Sequence, residues 1–429
     1  MRIAFVIPWY GRDVAGGAET ECRALAHAVK RLRPDIEVEV LTTALRAFSH
    51  DWNANVHPEG LSDDEGVAIR RFNARPAKRR LFGRVNERLL MRQGVDDLWR
   101  RDRPRSPLPR LAERWYLAKM VHSPSLYAYL RANREAYDHF VFLPYMFGTT
   151  VRGSLAVPGK AVIVPCLHDE RYAYMRLYRR IMRRAEGVVF LVRAEQRLAN
   201  RLYEIPLARQ LLLGGIVRTD PPTGEPARFR AKYGLVGPYV LCVGRKILGK
   251  NLPWLVDCFA HARAASPALR DVRLVLVGEG DLQYPADAHP GVVDLGYVPE
   301  EDKQDAYAGA LALAQPSLNE SFSIVMMEAW LQGTPCLVAA RCEVTRDHVE
   351  ESGGGLSFAD GRGLAAALER LLADPAARAA MGARGSTYVR TRYARDAIVE
   401  RFLGFLERLR GARRAAAPSS TRSAAIPVA

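Results

Sequence analysis

Near the N-terminus, IAFVIPW, ETECRALAHAVKRL and IEVEVLTT follow one another: a short β-rich run, a helical pattern and a second β-rich run. Two strands joined through a helix lie parallel, because the crossover needs a dozen or more residues, so this rhythm commits the chain to an α/β fold built on a parallel sheet. The rhythm departs over the insertion 75–115, and it breaks again between the two halves before resuming. After Gln210, LLLGGIVRTDPPTGEPARFRAKYGL concentrates Gly and Pro, and YVLCVGR then opens a second series in which RLVLVGEGD, VVDLGYV, ALALAQP and TPCLVAA read as strands. A chain of 429 residues exceeds what one core usually supports. The expected division is therefore a first domain over 1–218 and a second over 219–394, with the boundary within 216–226.

ARDAIVERFLGFLERLR reads as an amphipathic helix, placed at 395–411, and the aperiodic remainder, 412–429, is expected to be disordered. The opening MRIAFVIPWYGRD has too short an apolar run and no small-residue cleavage site, so it reads as a first strand and not as a signal peptide. No apolar run approaches the ~18 residues that span a bilayer, which favours a soluble or peripheral chain. Six cysteines stand scattered in apolar contexts without a CxxC pair, favouring reduced core thiols and a cytoplasmic location over disulfides or zinc.

The formal charge of +16 predicts anionic partners. Residues 75–115 hold 13 Lys or Arg against 5 Asp or Glu, a local excess of 13 − 5 = +8, half of the total. Within that insertion, Leu81, Phe82, Val85, Leu89 and Leu90 recur at helical spacing opposite Arg84, Arg88 and Arg92. Two readings stay open: a basic amphipathic helix on an anionic membrane surface, or a surface helix packed on its own domain. Nucleic acid is not an expected partner, since charge alone supports it and no reading module is present.

Several loops carry chemistry. GRDVAGGAETE follows the first strand, and Gly16-Gly17 lets the backbone approach a ligand at a helix N-terminus, although the loop lacks the dinucleotide fingerprint. In YVLCVGRKILGKN the strand ends at Gly244 and delivers Arg245, Lys246 and Lys250 to the carboxyl edge of the sheet, where open α/β folds bind ligands. A planar guanidinium and a compact ammonium can together clamp a diphosphate. Main-chain groups of Tyr297 and Val298 in LGYVP suit a nucleobase edge. KAVIVPCLHDE ends in His168, which can orient a sugar hydroxyl or move a proton. The consecutive His-Asp-Glu cannot converge on one metal ion from a strand end, and the chain contains no Asp-x-Asp, so neither a metal nor any other cofactor is expected.

In NESFSIVMMEAWLQGTP, Ser321 reads as an N-cap, with a helix from about Phe322 to Leu331 stopped by Gly333 and Pro335. Glu320 then precedes the helix and Glu328 lies inside it, roughly 10–12 Å away along the axis, with N–H groups of Phe322, Ser323 and Ile324 between. That length suits a sugar nucleotide.

The ordered set AGGAE, PCLHDE, VGRKILGKN, LVGEG, LGYVP and NESFSIVMMEAWLQGTP resembles the motifs of the family 4 glycosyltransferases, most closely over residues 238–358. The resemblance implies a GT-B fold, two Rossmann-like domains facing across a cleft, and a retaining, metal-independent hexosyl transfer from a nucleotide-sugar donor to a glycan or lipid-linked acceptor in polysaccharide or lipopolysaccharide synthesis. By the same resemblance Glu320, His168, Arg245 and Lys250 are catalytic. Gly16, Gly17, Gly244, Tyr297, Val298, Phe322, Ser323, Ile324 and Glu328 hold the donor. The HDER sequence around the histidine departs from the family's usual variation. Rival readings are a nucleotide-sugar epimerase or other GT-B enzyme, and a non-catalytic sugar-nucleotide or glycan-binding protein.

Overall fold

The computed structural model describes residues 1–416 except 13, 15, 49, 76–78, 91–97, 101–102, 221–223 and 281–288. Two sheets organise them. The first has eight strands in the edge-to-edge order Gln210–Leu212, Gly187–Phe190, Ala161–Ile163, His139–Phe142, Arg2–Val6, Glu37–Thr43, Val67–Phe72 and Gly60–Asp64. Its strands pair in parallel except Gly60–Asp64, which returns antiparallel on Val67–Phe72. The second sheet has six strands, all parallel, in the order Val292–Asp294, Arg273–Val277, Tyr239–Val243, Ala312–Gln315, Cys336–Ala339 and Gly355–Phe358.

Helices cover both faces of a parallel sheet, so its strands can be apolar on every side chain. Ile3, Ala4, Phe5 and Val6 accordingly have no exposed surface, and neither do Leu241 and Leu313 in the second sheet. Each sheet also reverses its winding beside its first strand. Arg2–Val6 lies between Glu37–Thr43 and His139–Phe142, and Tyr239–Val243 lies between Arg273–Val277 and Ala312–Gln315. At such switch points the loops leaving the strand ends diverge and open a crevice. The Gly16-Gly17 loop and the Arg245 loop both follow these first strands.

The C-terminal helix runs Arg395–Ala416. It returns to the first sheet, with Phe402 against the Phe5 ring at 6.3 Å and Phe405 and Leu409 against Gly187, where a Cβ would overlap both. Residues 412–416 were expected to be disordered and are helical instead. The stretch ARRAA has no apolar periodicity, but Ala and Arg are strong helix formers, and Arg413 is fixed by the main-chain carbonyls of Gly159 and Asp138, both at 2.9 Å. The rest of the expected disordered tail, 417–429, lies outside the described residues.

Helix Arg79–Leu90 settles which way the basic insertion turns its apolar face. Phe82 and Leu89 are buried, and Phe82 stacks on Tyr116 at 5.1 Å and meets Trp52 at 6.1 Å. Phe82 and Leu89, of the face that could have entered lipid, are thus packed on their own domain, as the second of the two open readings has it. Much of 91–102, including Arg92, lies outside the described residues. All six cysteines are buried and free. Among the described residues no helix is long and apolar enough to cross a membrane.

Candidate active site

The loops singled out in the sequence leave the carboxyl ends of their strands and meet between the two sheets. From the first domain comes the glycine loop. Gly16 caps helix Gly17–Leu32 in an extended conformation (φ 171°), and a Cβ on it would overlap the Glu19 carboxylate, which Trp9 Nε1–H holds from below. A Cβ on Gly17 would meet nothing within 4 Å, so this exposed helix end is open. Burial raises the Glu19 carboxyl above its ordinary value, while the Trp9 bond and the charge of Arg245 oppose the rise. Arg245 belongs to the other domain, so Glu19 and Arg245 face one another electrostatically across the cleft. The sequence reading assigned Glu19 no role, although it stands within AGGAE.

The second domain supplies the cations. Gly244 has φ 150°, and its carbonyl lies where a Cβ on Gly278 would collide with it, so two glycines let the Arg245 and Gly278 loops pack directly. The three basic residues then divide. Arg245 is exposed, and its side chain makes no hydrogen bond or ion pair among the described residues. The Lys246 side chain is only 4% exposed and is held by Asp294 at 2.6 Å, so it belongs to the support of the loop and not to the clamp. Lys250 reaches across to Glu320 Oε1 in an ion pair. Its ammonium is thereby held beside the carboxylate at the head of the NESFSIVMMEAW segment.

That segment differs from expectation in its first turn. The helix runs Ile324–Leu331 and starts two residues later than predicted, with Ser323 as N-cap in a left-handed conformation (φ 63°) and no side-chain cap bond. Ser321 is not the cap, because its hydroxyl is engaged by His168 Nε2 at 2.8 Å. The Ser323 hydroxyl instead accepts from Gln315 Nε2 at 2.8 Å. Phe322 was expected to present a helical N–H to the donor. Its side chain is buried at the interdomain linker, edge-on to Tyr393 at 4.9 Å and against Gly215, where a Cβ would overlap the ring. Ser323 and Ile324 keep their place at the helix end.

His168 comes from the first domain on the loop after Ala161–Ile163, so its bond to Ser321 spans the cleft. His168 and Glu320 line one interdomain cavity of about 190 Å³ together with Asn319, Glu195 and Cys342. Glu328 lies in the middle of the helix Ile324–Leu331. It accepts from Tyr307 OH at 2.8 Å and from Lys303 Nζ at 3.3 Å. Burial raises its carboxyl and Lys303 and Tyr307 counter that, so the group stays anchored and half-buried. Neither partner was visible in the sequence, because helix Glu300–Gly309 carries them in from outside the motif. Tyr297 is exposed and Val298 buried at the turn before that helix. Elsewhere His27, Asp64 and Glu65 have donor atoms close enough for a cation, but Arg12 and Arg23 already pair with both carboxylates.

Two sheets, parallel but for one edge strand, whose loops face across a cleft define a GT-B architecture, and solved structures agree. Sucrose-phosphate synthase from Thermosynechococcus elongatus superposes with a TM-score of 0.66 over 96% of this chain and 99% of that one, at 18% identity. WaaG, a glycosyltransferase involved in lipopolysaccharide biosynthesis, does so with a TM-score of 0.60 over 93% and 98%, at 16% identity. The chain has the GT-B fold, and residues 237–374 match the family described as Glycosyl transferases group 1.

The stretch of closest motif resemblance, 238–358, falls within that match. Among curated relatives, the D-inositol 3-phosphate glycosyltransferase of Kineococcus radiotolerans is 32% identical over 234 residues, 48% of this chain and 53% of that protein. The lipopolysaccharide core biosynthesis glycosyltransferase LpsE of Rhizobium meliloti is 27% identical over 178 residues, 39% of this chain and 49% of that one. The chain spans about half the length of the curated relatives it matches.

Proposed function

We propose that the protein is a retaining glycosyltransferase that moves a hexose from a nucleoside-diphosphate sugar to a glycan or lipid-linked glycan acceptor in cell-surface polysaccharide or lipopolysaccharide synthesis. The observation that carries this reading is the convergence of an exposed Arg245, the Lys250–Glu320 pair and the Ile324 helix end with His168 of the opposite domain, closed by the 2.8 Å bond to Ser321.

In this reading the diphosphate lies between the Gly16-Gly17 helix end and the Ile324 helix end, with Arg245 and Lys250 on its oxygens. Glu328 accepts from the ribose diol, and main-chain groups of Tyr297 and Val298 meet the base. The sugar occupies the cavity between His168 and Glu320. Breaking the bond from the anomeric carbon to the phosphate oxygen leaves the electron pair on the diphosphate, where the cations and helix ends stabilise it. The acceptor hydroxyl forms the new bond on the same face and gives its proton to the departing phosphate oxygen. No side chain becomes a covalent nucleophile. The two cations and the lack of an Asp-x-Asp motif support a metal-independent reaction.

The basic segment 75–115 is the proposed contact with an anionic membrane surface, at the cytoplasmic face where lipid-linked acceptors are presented. Because Phe82 and Leu89 are buried, this contact is electrostatic and made by arginines, without insertion. Equal recovery in the soluble phase with acidic and neutral liposomes would refute docking. The transferase reading is tested by a screen of UDP-, GDP- and dTDP-sugars for binding and turnover, with NMR of the product's anomeric configuration. A product of inverted configuration, or sugar isomerisation without an acceptor, would overturn it.

A further inference from the structure

The geometry points to Glu195 as a positioning residue whose carboxylate fixes the turn that carries His168. This inference rests on the transferase reading and adds to it a residue that no motif singled out. Glu195 stands in the first turn of helix Arg193–Tyr203, whose N-cap, Val192, has no side-chain oxygen to offer. A glutamate at this position commonly folds back on the main-chain N–H at the head of its helix; here one oxygen reaches past the N-cap and accepts from Leu191 N–H, one residue before it, at 2.7 Å.

The other oxygen does something a cap does not require. It accepts from Leu167 N–H, also at 2.7 Å, across to the loop of the neighbouring strand and one residue before His168. The strands behind these loops, Ala161–Ile163 and Gly187–Phe190, are parallel neighbours, so the carboxylate bridges two adjacent strand ends. The turn it holds is strained. Cys166 has φ 52°, a left-handed conformation that is unfavourable for a residue with a side chain. Such a turn persists only where its surroundings hold it.

Glu195 is 2% exposed, and burying a carboxylate is unfavourable unless its oxygens are bonded. Two short main-chain bonds meet that need, and they place the side chain in the wall of the cavity that His168 and Glu320 share. Without the Leu167 bond, the Cys166 turn relaxes and the imidazole leaves the position from which Nε2 meets Ser321 Oγ at 2.8 Å. Sugar transfer then slows although no atom that touches substrate has changed.

The experiment uses the full chain and whichever of UDP-glucose, GDP-mannose and dTDP-glucose it turns over, comparing Glu195→Gln, Glu195→Ala, His168→Ala and the double variant Glu195→Gln/His168→Ala. The amide is isosteric and can accept from one N–H, but its NH2 faces the other. Glu195→Gln should lower kcat about 10- to 100-fold with donor KM held within about twofold, because the donor is bound chiefly by the second domain. In the His168→Ala background the same change should cost nothing further in kcat, since both act through one group. Additive losses in the double variant, an unchanged kcat with a lower Tm, or unfolding of both Glu195 variants at the assay temperature would assign Glu195 to the helix cap alone and overturn the inference. An undiminished kcat in His168→Ala would also overturn the inference, because Glu195 acts through that imidazole, whereas a parent chain that turns over none of these donors would instead strike the transferase reading, so the two failures are distinguishable.

Discussion

Gly17→Ala separates a ligand loop from a tight turn. Gly17 is the first residue of helix Gly17–Leu32, and a Cβ there meets nothing within 4 Å. As far as the fold is concerned, alanine is therefore tolerated, and replacing a helical glycine adds about 0.5–1 kcal/mol, partly by restricting the unfolded chain. For a domain of this size that raises Tm by roughly 1–4 °C. The added methyl projects about 1.5 Å into the space where the diphosphate is proposed to meet the helix end.

A misplacement of about 1 Å can slow a reaction about 10²-fold, so kcat/KM for the donor should fall by that factor, or about 2.7 kcal/mol of transition-state binding. Gly16→Ala should behave differently. Its Cβ overlaps the Glu19 carboxylate, so Glu19 must leave Trp9 and a bond worth about 1.5–3 kcal/mol is lost; stability and activity fall together. Differential scanning calorimetry and steady-state kinetics on the two variants give both readouts. Gly17→Ala with a raised Tm and a kcat/KM within about twofold of the parent would refute the reasoning and leave the glycine pair as a turn only.

Other consequences follow from the same geometry. Glu328→Ala should raise donor KM about 10- to 100-fold and leave kcat nearly unchanged, because the ribose contact is the same in ground and transition states; a fall in kcat alone would contradict its role. Burial pushes the Glu21 carboxyl up to about 8 from 4.5, and Glu21 accepts the Ile216 N–H from the interdomain linker at 3.2 Å. The folded chain thus keeps a proton that the unfolded chain releases, so this contribution is fully present below the unfolded value and lost as pH rises through about 8. Between about pH 5.5 and about pH 8.5, Glu21→Gln should lose less stability to urea than the parent, whereas parallel pH profiles would rule this linkage out. Arg413→Ala removes the ties to Gly159 and Asp138 and should lower stability by about 1–3 kcal/mol; an unchanged urea midpoint would show that the last turn of the C-terminal helix is not docked.

What the sequence conveyed well was periodicity. Runs such as RLVLV and YVLCV are apolar on consecutive residues because both faces of a parallel sheet are covered, and glycines after them mark strand ends, so the sheet edges carrying Arg245, Glu320 and His168 were legible. Which side chain a polar group meets was not, because partners arrive from other elements. Lys246 and Lys250 look alike in VGRKILGKN, yet one has its side chain buried against Asp294 and the other reaches Glu320. Ser321 and Ser323 are equally plausible caps by spacing, and the choice was made by His168, 153 positions away in sequence. Phe322 looked like the first residue of the helix, but the helix starts at Ile324 and the Phe322 ring packs at the linker against Gly215. Glu195 and Glu19 are ordinary first-turn glutamates until the neighbouring strand ends are in view.

The central claim is that a nucleotide-sugar is held and broken between the Lys250–Glu320 pair and His168. Its most direct test is release of nucleoside diphosphate from UDP-, GDP- and dTDP-sugars by the parent chain, Lys250→Ala and Glu320→Gln, all folded by circular dichroism. The account predicts turnover of at least one donor by the parent and a loss of about 10²–10³-fold in both variants, the effect of removing one donor aimed at developing charge or the carboxylate that holds it in place. Undiminished release by either variant, or a parent chain that binds none of these donors, would contradict it.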